Sequence, residues 1–388
     1  MRDKKKLFTE CIDRIIDSGE LVGLNALVLK DGEEKMYAEA GFADLEAKKP
    51  FKRDTIVRLY SQSKPITAAA AMLLIQDGII EPYEPVGNYI ESFKNQEIVE
   101  GGVRRPVRWD RPMFIKDLLD MTSGLVYPFD NTAAEITTGQ LYNELIDRLP
   151  TDNMMSTMEF AERLGRLPLE FQPGDHFRYG TSADVLGAVI EKASGMKFGD
   201  FLKERIFEPL NMKDTGFYVP EEKMDRFATA YDCYGEAPVR YSGNNLGIRD
   251  DGKKNAFESG GAGIFSTIDD YANFARMLMN GGVFEGKEIL TKNTVRFMTG
   301  AQLTDEQQND MKTWSALGGF SYGNLMRIMK NPGRAGIIAG EGEYGWDGWL
   351  GPYFCNDPES GTTFLMLTQR VDYGTGVATR KLRNIIFS

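Results

Sequence analysis

Polar and apolar positions follow two different periods along this chain, and each change of period marks an element. Near the start, Leu7, Cys11 and Ile15, with Phe8, Ile12 and Ile16, recur every three or four residues and trace one face of an amphipathic helix. The next stretch, LNALVLKDGEEKMYAEAGFADL, reads as two strands joined by a turn at Asp31-Gly32. From Thr55 to Gly78 the chain reads TIVRLYSQSKPITAAAAMLLIQDG, a β-branched run followed by an Ala-rich apolar segment. A strand or loop leading into a buried helix is the prediction, with Ser61 at its entrance. Pro65 fits the first turn, where its missing N–H has no intrahelical acceptor to lose. Ala68 to Ala71 carry almost no side chain, so neighbouring elements can approach this helix closely.

Residues 82–112 are polar and rich in Pro and Gly, which predicts a long surface excursion. IKDLLDMTSGL reads as a short helix ending in a turn, and residues 133–165 read as largely helical. FQPGDHFRYGTSADVLGAVIEKASG gives a turn at Pro173-Gly174 and then a second apolar helix, which Ser182 and Asp184 can cap. A loop-rich stretch from Tyr231 to Asn255 precedes SGGAGIFSTIDDYANFARMLMNGG, a Gly-rich turn into a helix capped near Ser266 or Thr267. The remainder reads as strands (GFSYGNLMRIMK, GWLGPYFCND, TTFLMLTQ) and a closing helix, ATRKLRNIIF. Sheet-forming sequence therefore sits at both ends and helix in the middle. The expectation is an α/β fold with an antiparallel sheet flanked by helices, built from residues 1–57 and 285–388, with residues 58–284 inserted as a mainly helical domain. Loops at 82–112, 127–156 and 231–256 are expected to shape a pocket.

With 388 residues, 42% hydrophobic and 27% charged, the chain can bury a large core and has an ordinary globular composition. Its net charge of -11 argues against nucleic acid or an anionic membrane as a partner. Arg2 to Lys6 is basic, but Glu10, Asp13, Arg14 and Asp17 interrupt what a signal peptide would keep apolar. The longest uncharged apolar run, Pro65 to Gln76, is too short to span a bilayer. Cys11, Cys233 and Cys355 are widely spaced and suggest neither a disulfide framework nor a metal site. A cytoplasmic, reduced protein is expected.

Ser61 and Lys64 are three residues apart, so a helix stacks them on one face. An amine at the positive end of a helix dipole can lose its proton more easily and then accept that of the hydroxyl. Taken alone, the same residues read more simply as a capping serine and a surface lysine. The spacing recurs at Ser194 and Lys197, where the helical run ends at Gly195 and the lysine is expected to face solvent. The chain has one histidine, His176, so a multi-histidine metal site is impossible. Gly319-Phe320-Ser321-Tyr322-Gly323 matches G-x-S-x-G, but β-like sequence and no histidine follow it. Gly281-x4-Gly286-Lys287 is phosphate-loop-like, but Glu288 replaces the Ser or Thr that would hold Mg²⁺.

Six stretches in this order resemble the serine β-lactamase and penicillin-binding-protein superfamily, especially its class C-like branch of esterases and peptidases. LYSQSKPITAAAAMLLIQDG is similar to that family's nucleophile helix, and DLLDMTSGL to its DLLxHTSGL segment, with Met121 where His is usual. FQPGDHFRYGTSADVLG, PLNMKDTGF, SGGAGIFST and YGWDGWLGPYFCNDPESG also resemble family stretches, and the likeness runs from about Leu24 to Gln369. It implies that Ser61 is an acylated nucleophile, Lys64 its base, and Tyr179 a proton relay that ionises more easily near an ammonium. Thr181 stands where many relatives have Asn. Trp346-Asp347-Gly348 matches the third motif, which is Lys–Thr–Gly in β-lactamases and Trp–x–Gly in esterase-like relatives, and Trp346, Asp347, Gly348 and Thr181 would then contact substrate. The backbone N–H groups of Ser61 and Trp349 would form the oxyanion hole. Asp347 would repel a substrate carboxylate, which favours an ester, and after it an amide, over β-lactams and peptidoglycan stems. Ser259 is expected to cap its Gly-rich turn and His176 to be structural.

The expectation is therefore a serine hydrolase working through an acyl-enzyme on a small ester, with no metal or organic cofactor implied. An acyltransferase, a D-amino-acid peptidase or weak β-lactamase, and a non-catalytic ligand-binding module remain as alternatives. Nothing in the sequence speaks to oligomeric state.

Overall fold

The computed structural model describes residues 3–311, 314 and 317–388. Its central strand, β1 (Gly23–Lys30), is buried along nearly its whole length, which explains why GLNALVLK is apolar on both faces. Asp31 and Gly32 both take positive φ, 52° and 81°, and turn the chain directly into β2 (Glu33–Asp44). β3 (Lys49–Pro50) completes that edge. The other five strands are β4 (Phe320–Gly323), β5 (Met326–Met329), β6 (Tyr344–Asp347), β7 (Tyr353–Asp357) and β8 (Thr362–Thr368). They form one eight-stranded sheet in the order β4-β5-β6-β7-β8-β1-β2-β3. Every pairing in it is antiparallel, and β8 joins the two halves by lying beside β1, Leu24 opposite Thr368.

Alternation along β1 divides the core. Leu24, Ala26 and Val28 face α1 (Lys4–Asp17) and α8 (Val377–Phe387), packing on Phe8, Ile12, Ile15 and Leu382. Leu27 and Leu29 face the opposite way, into the larger core that holds α2 (Lys64–Gln76), α6 (Ser182–Ser194) and α7 (Ile268–Met279). From Lys64 to Leu74 every residue of α2 is buried, as expected of a helix that is apolar all round. Around it stand α3 (Ile115–Asp120), α4 (Ala133–Arg148) and α5 (Thr157–Leu164). α7 packs on β7, β8 and β1 although it lies within the 58–284 segment.

Two local expectations are corrected. GFSYGNLMRIMK is a hairpin of two strands, turned by Asn324 and Leu325 at φ 48° and 63°. Neither positive-φ position is glycine; Leu325 is fully buried and its N–H donates to Leu119 O at 2.7 Å. In GWLGPYFCND only Tyr353–Asp357 is strand; residues 348–352 form the turn after β6, with Gly351 at φ 90°. In α6 neither Ser182 nor Asp184 caps: Thr181 is the N-cap residue without a side-chain cap bond, and Ser182 Oγ instead pairs with Ser123 Oγ at 2.8 Å. Thr267 does cap α7, accepting from the Asp270 N–H. Among the described residues, no helix is long and apolar enough to cross a membrane.

Candidate active site

Ser61 lies in a short 3₁₀ turn, Tyr60–Ser63, that runs directly into α2, so it is not the cap of that helix. The turn is held from several sides. Tyr60 takes a left-handed φ of 46°, a strained conformation for a side-chain-bearing residue, and is buried. Its ring meets Trp349 edge-on at 5.0 Å. The Ile264 N–H donates to Ser63 Oγ at 3.1 Å, and the Tyr271 hydroxyl donates to Gln62 O at 2.9 Å.

Lys64 is fully buried, which excludes the surface-lysine reading. Its Nζ lies 3.1 Å from Ser61 Oγ, 3.0 Å from Tyr127 Oη and 2.8 Å from Gly261 O. Burial pushes its pKa down to about 7, against the pull of Asp184 and Asp347. A neutral amine there can offer its lone pair to the Ser61 hydroxyl while donating to Tyr127 and Gly261. The second Ser–x–x–Lys pair behaves as expected: Lys197 is exposed, and Ser194 Oγ bonds within its own turn. Ser321 lies on strand β4, and Gly281–Glu288 forms a small hairpin after α7.

The Tyr179 hydroxyl accepts from Trp346 Nε1 at 3.0 Å, with the Lys64 Nζ 4.7 Å from its ring centre. Burial holds its phenol well above the usual value, so the expected easier ionisation is not found. Desolvation of the partly buried ring outweighs an ammonium that burial itself disfavours. Gly180 explains how Tyr127 arrives beside Tyr179: a Cβ there would lie 2.2 Å from Leu125 O, so the 125–127 segment packs on bare backbone. The two rings stand 5.6 Å apart.

The third motif closes the site from β6. Trp346 is buried beneath Tyr179, and Asp347 accepts from Arg327 Nη1 at 3.1 Å. Arg327 is 3% exposed, so Asp347 is a paired charge rather than the open one that the sequence suggests. Gly348 has no room for a side chain, because a Cβ would lie 2.1 Å from Leu59 O. That contact sets the Trp349 backbone beside the chain entering Ser61. Thr181 is fully buried, and its Oγ1 has no hydrogen-bond partner among the described residues. Ser259 is not a cap; its hydroxyl donates to Asp184, whose Oδ1 also accepts from the Gly261 N–H at 3.0 Å. His176 is exposed and sits with Asp310 at 3.2 Å. Among the described residues no cluster of His, Cys, Asp or Glu is suited to a metal ion.

Sequence reasoning missed Tyr127 and Arg327 and misread Asp184. Tyr127 follows a turn with no periodic pattern, and Arg327 lies in an apolar strand where a lone charge gives no clue to its partner. A model of the Beta-lactamase family matches residues 8–385. The chain belongs to the β-lactamase family. Among its family relatives, a protein of Mycobacterium tuberculosis is 31% identical, covering 92% of this chain and 88% of its own. Esterase EstB of Burkholderia gladioli is 29% identical over 97% of this chain and 93% of its own. The solved structure of EstCE1, described as a hydrolase with promiscuous acyltransferase activity, superposes with a TM-score of 0.83 at 25% identity. It covers 99% of this chain and 98% of its own. These likenesses place the protein among β-lactamase-fold hydrolases and acyl-transferases.

Proposed function

We propose that the protein is a serine hydrolase that cleaves small carboxylic esters, and amides less readily, through an acyl-enzyme on Ser61. Ser61 Oγ attacks the carbonyl as Lys64 takes its proton, and the Ser61 and Trp349 N–H groups receive the developing oxyanion. Tyr179, protonated and held by the Trp346 indole, passes its proton to the leaving oxygen and regains one from the Lys64 ammonium. Water then enters by the same route and releases the acid. Substrate would sit against Trp346, Asp347, Gly348 and Thr181. The observation that carries this reading is the buried Lys64, with its Nζ 3.1 Å from Ser61 Oγ and its pKa near neutrality. A module that only bound ligand would gain nothing from burying a lysine beside a serine. The likeness to esterase EstB supports an ester substrate.

The test is intact-protein mass and turnover with a short p-nitrophenyl ester and, separately, a penicillin. Ester turnover that Ser61→Ala and Lys64→Ala both abolish supports the reading; no adduct at Ser61 under any condition overturns it. The penicillin arm matters because Asp347 is paired with Arg327. Acyl transfer is a second reading, favoured by the activity described for EstCE1. Ester products formed when an alcohol is added would support it. The three cysteines are free, which fits a reducing cytoplasm.

A further inference from the structure

One residue beyond Lys64, across Gly261, lies a buried carboxylate that the proposed reaction does not use. Asp184 is buried in the first turn of α6. Its Oδ1 accepts from the Ser259 hydroxyl and from the Gly261 N–H at 3.0 Å, and the Tyr142 hydroxyl of α4 lies 3.5 Å from Oδ2. The far side of the same residue, Gly261 C=O, accepts from Lys64 Nζ at 2.8 Å. One glycine thus stands between a carboxylate and an amine, its N–H toward the acid and its C=O toward the base. The turn leaves no slack. A Cβ on Gly260 would lie 2.2 Å from Ala183 O, and one on Gly261 would lie 3.2 Å from both Asp184 oxygens and from Tyr127 Oη. Thr67 of α2 also donates to Gly260 O at 2.6 Å, which ties the turn to the helix that carries Lys64.

We propose that Asp184 is a positioning residue that fixes the Ser259–Gly261 turn and serves, through the Gly261 backbone, as the counter-ion of Lys64. Two donors on one carboxylate oxygen favour the ionised form, in opposition to burial, which raises its pKa. The groups facing Lys64 are Tyr127 from the segment after α3, Tyr179 from the turn before α6, Asp184 from α6 and Asp347 from β6. Asp347 is paired with Arg327, and both tyrosines are held protonated by burial. Asp184 is thus the facing charge with no cationic side chain of its own apart from Lys64. It sets how readily the amine is charged between successive proton transfers. The inference rests on the hydrolase reading for its meaning in catalysis, but not for its test.

Asp184→Asn keeps an oxygen for Ser259 and Gly261 and removes the charge. The full-length protein, labelled with [13Cε]lysine, is titrated by NMR, and the Lys64 resonance is assigned by its loss in Lys64→Met. The expected result is a Lys64 midpoint lower by about one pH unit or more in Asp184→Asn, the size of shift an opposite charge produces. A smaller shift in the same direction is expected in Ser259→Ala, where one donor to the carboxylate is lost. An unchanged or higher midpoint in Asp184→Asn overturns the proposal. Should that variant fail to fold, an unchanged midpoint in Ser259→Ala overturns it instead. Fluorophosphonate labelling of wild-type Ser61 is measured in parallel. Its absence refutes the hydrolase reading, while the titration still decides the role of Asp184. With labelling intact, the acid limb of the labelling rate should move with the NMR midpoint; a merely structural residue would lower the rate without moving the limb.

Discussion

Arg327 Nη1 lies 3.1 Å from Asp347 Oδ1, so the one acidic residue of the third motif is already neutralised from within the sheet. The pair ties the end of β6 to β5, next to the proposed substrate site. Arg327→Met should leave the half-buried Asp347 without its partner and destabilise the protein by about 2 kcal/mol, read as a lower midpoint of chemical unfolding. Adding Asp347→Asn should recover part of that loss, because the uncompensated charge is gone. The single variant should also raise KM for esters of dicarboxylic acids more than for neutral esters.

Lys64 gives the activity a definite pH dependence. Its pKa of about 7 means that kcat/KM for an ester should rise through neutral pH to a plateau above it, as the amine loses its proton. The stability sign follows from the same shift. Unfolded lysine holds its proton up to about pH 10, whereas the folded group releases it near 7. The unfolded state therefore binds more protons between those values, and wild-type stability rises with pH across that window. Lys64→Met should remove a few kcal/mol of this dependence, seen by comparing unfolding curves at pH 6 and pH 10.

Tyr179→Phe keeps the ring that packs between Tyr127 and Trp346 but removes the oxygen that Trp346 Nε1 donates to. Turnover should fall by about 10²- to 10⁴-fold, the range for a lost proton-transfer group. Stability should fall by about 1–3 kcal/mol because the indole N–H is left buried without a partner. A variant of unchanged kcat would remove Tyr179 from the chemistry.

Gly348→Ala tests the contact between the third motif and the Ser61 turn. The new Cβ would meet Leu59 O at 2.1 Å, so strand end and turn must separate. A displacement of this kind should lower kcat by about 10²-fold while circular dichroism stays native. Gly195→Ala is the control. Gly195 has a positive φ, 72°, but nothing lies within 4 Å, so the substitution should lower stability and leave kcat unchanged.

Much of this architecture is legible in local sequence because local rules decide it. The helix around Ala68 to Ala71, the Asp31-Gly32 turn and the apolar β1 each follow from residues that touch within one element. What stayed hidden depends on partners far away in the chain. Asp184 in the first turn of a helix looks like a cap until Ser259 and Gly261 arrive from a segment 75 and 77 residues on. Asp347 looks like an open negative charge until Arg327 reaches it from the next strand. Tyr179 looks easier to ionise until the aromatic packing around it takes much of its surface out of water. Charge and solvation are properties of the assembled site, and spacing alone does not encode them.

The pairing of β1 with β8 has a consequence for how the protein is made. Thr368 Oγ1 donates to Gly23 O at 2.8 Å, 345 positions away in the chain. During synthesis the β1–β2 hairpin emerges first, with an apolar edge that has no neighbour until nearly all of the polypeptide has left the ribosome. The sheet therefore cannot close vectorially. The helix that carries Ser61 is translated early, yet β6, which brings Trp346 and Gly348 against it, comes late. A nascent chain arrested before β6 would display the serine and the lysine without their enclosure, so the site comes into being near the end of translation.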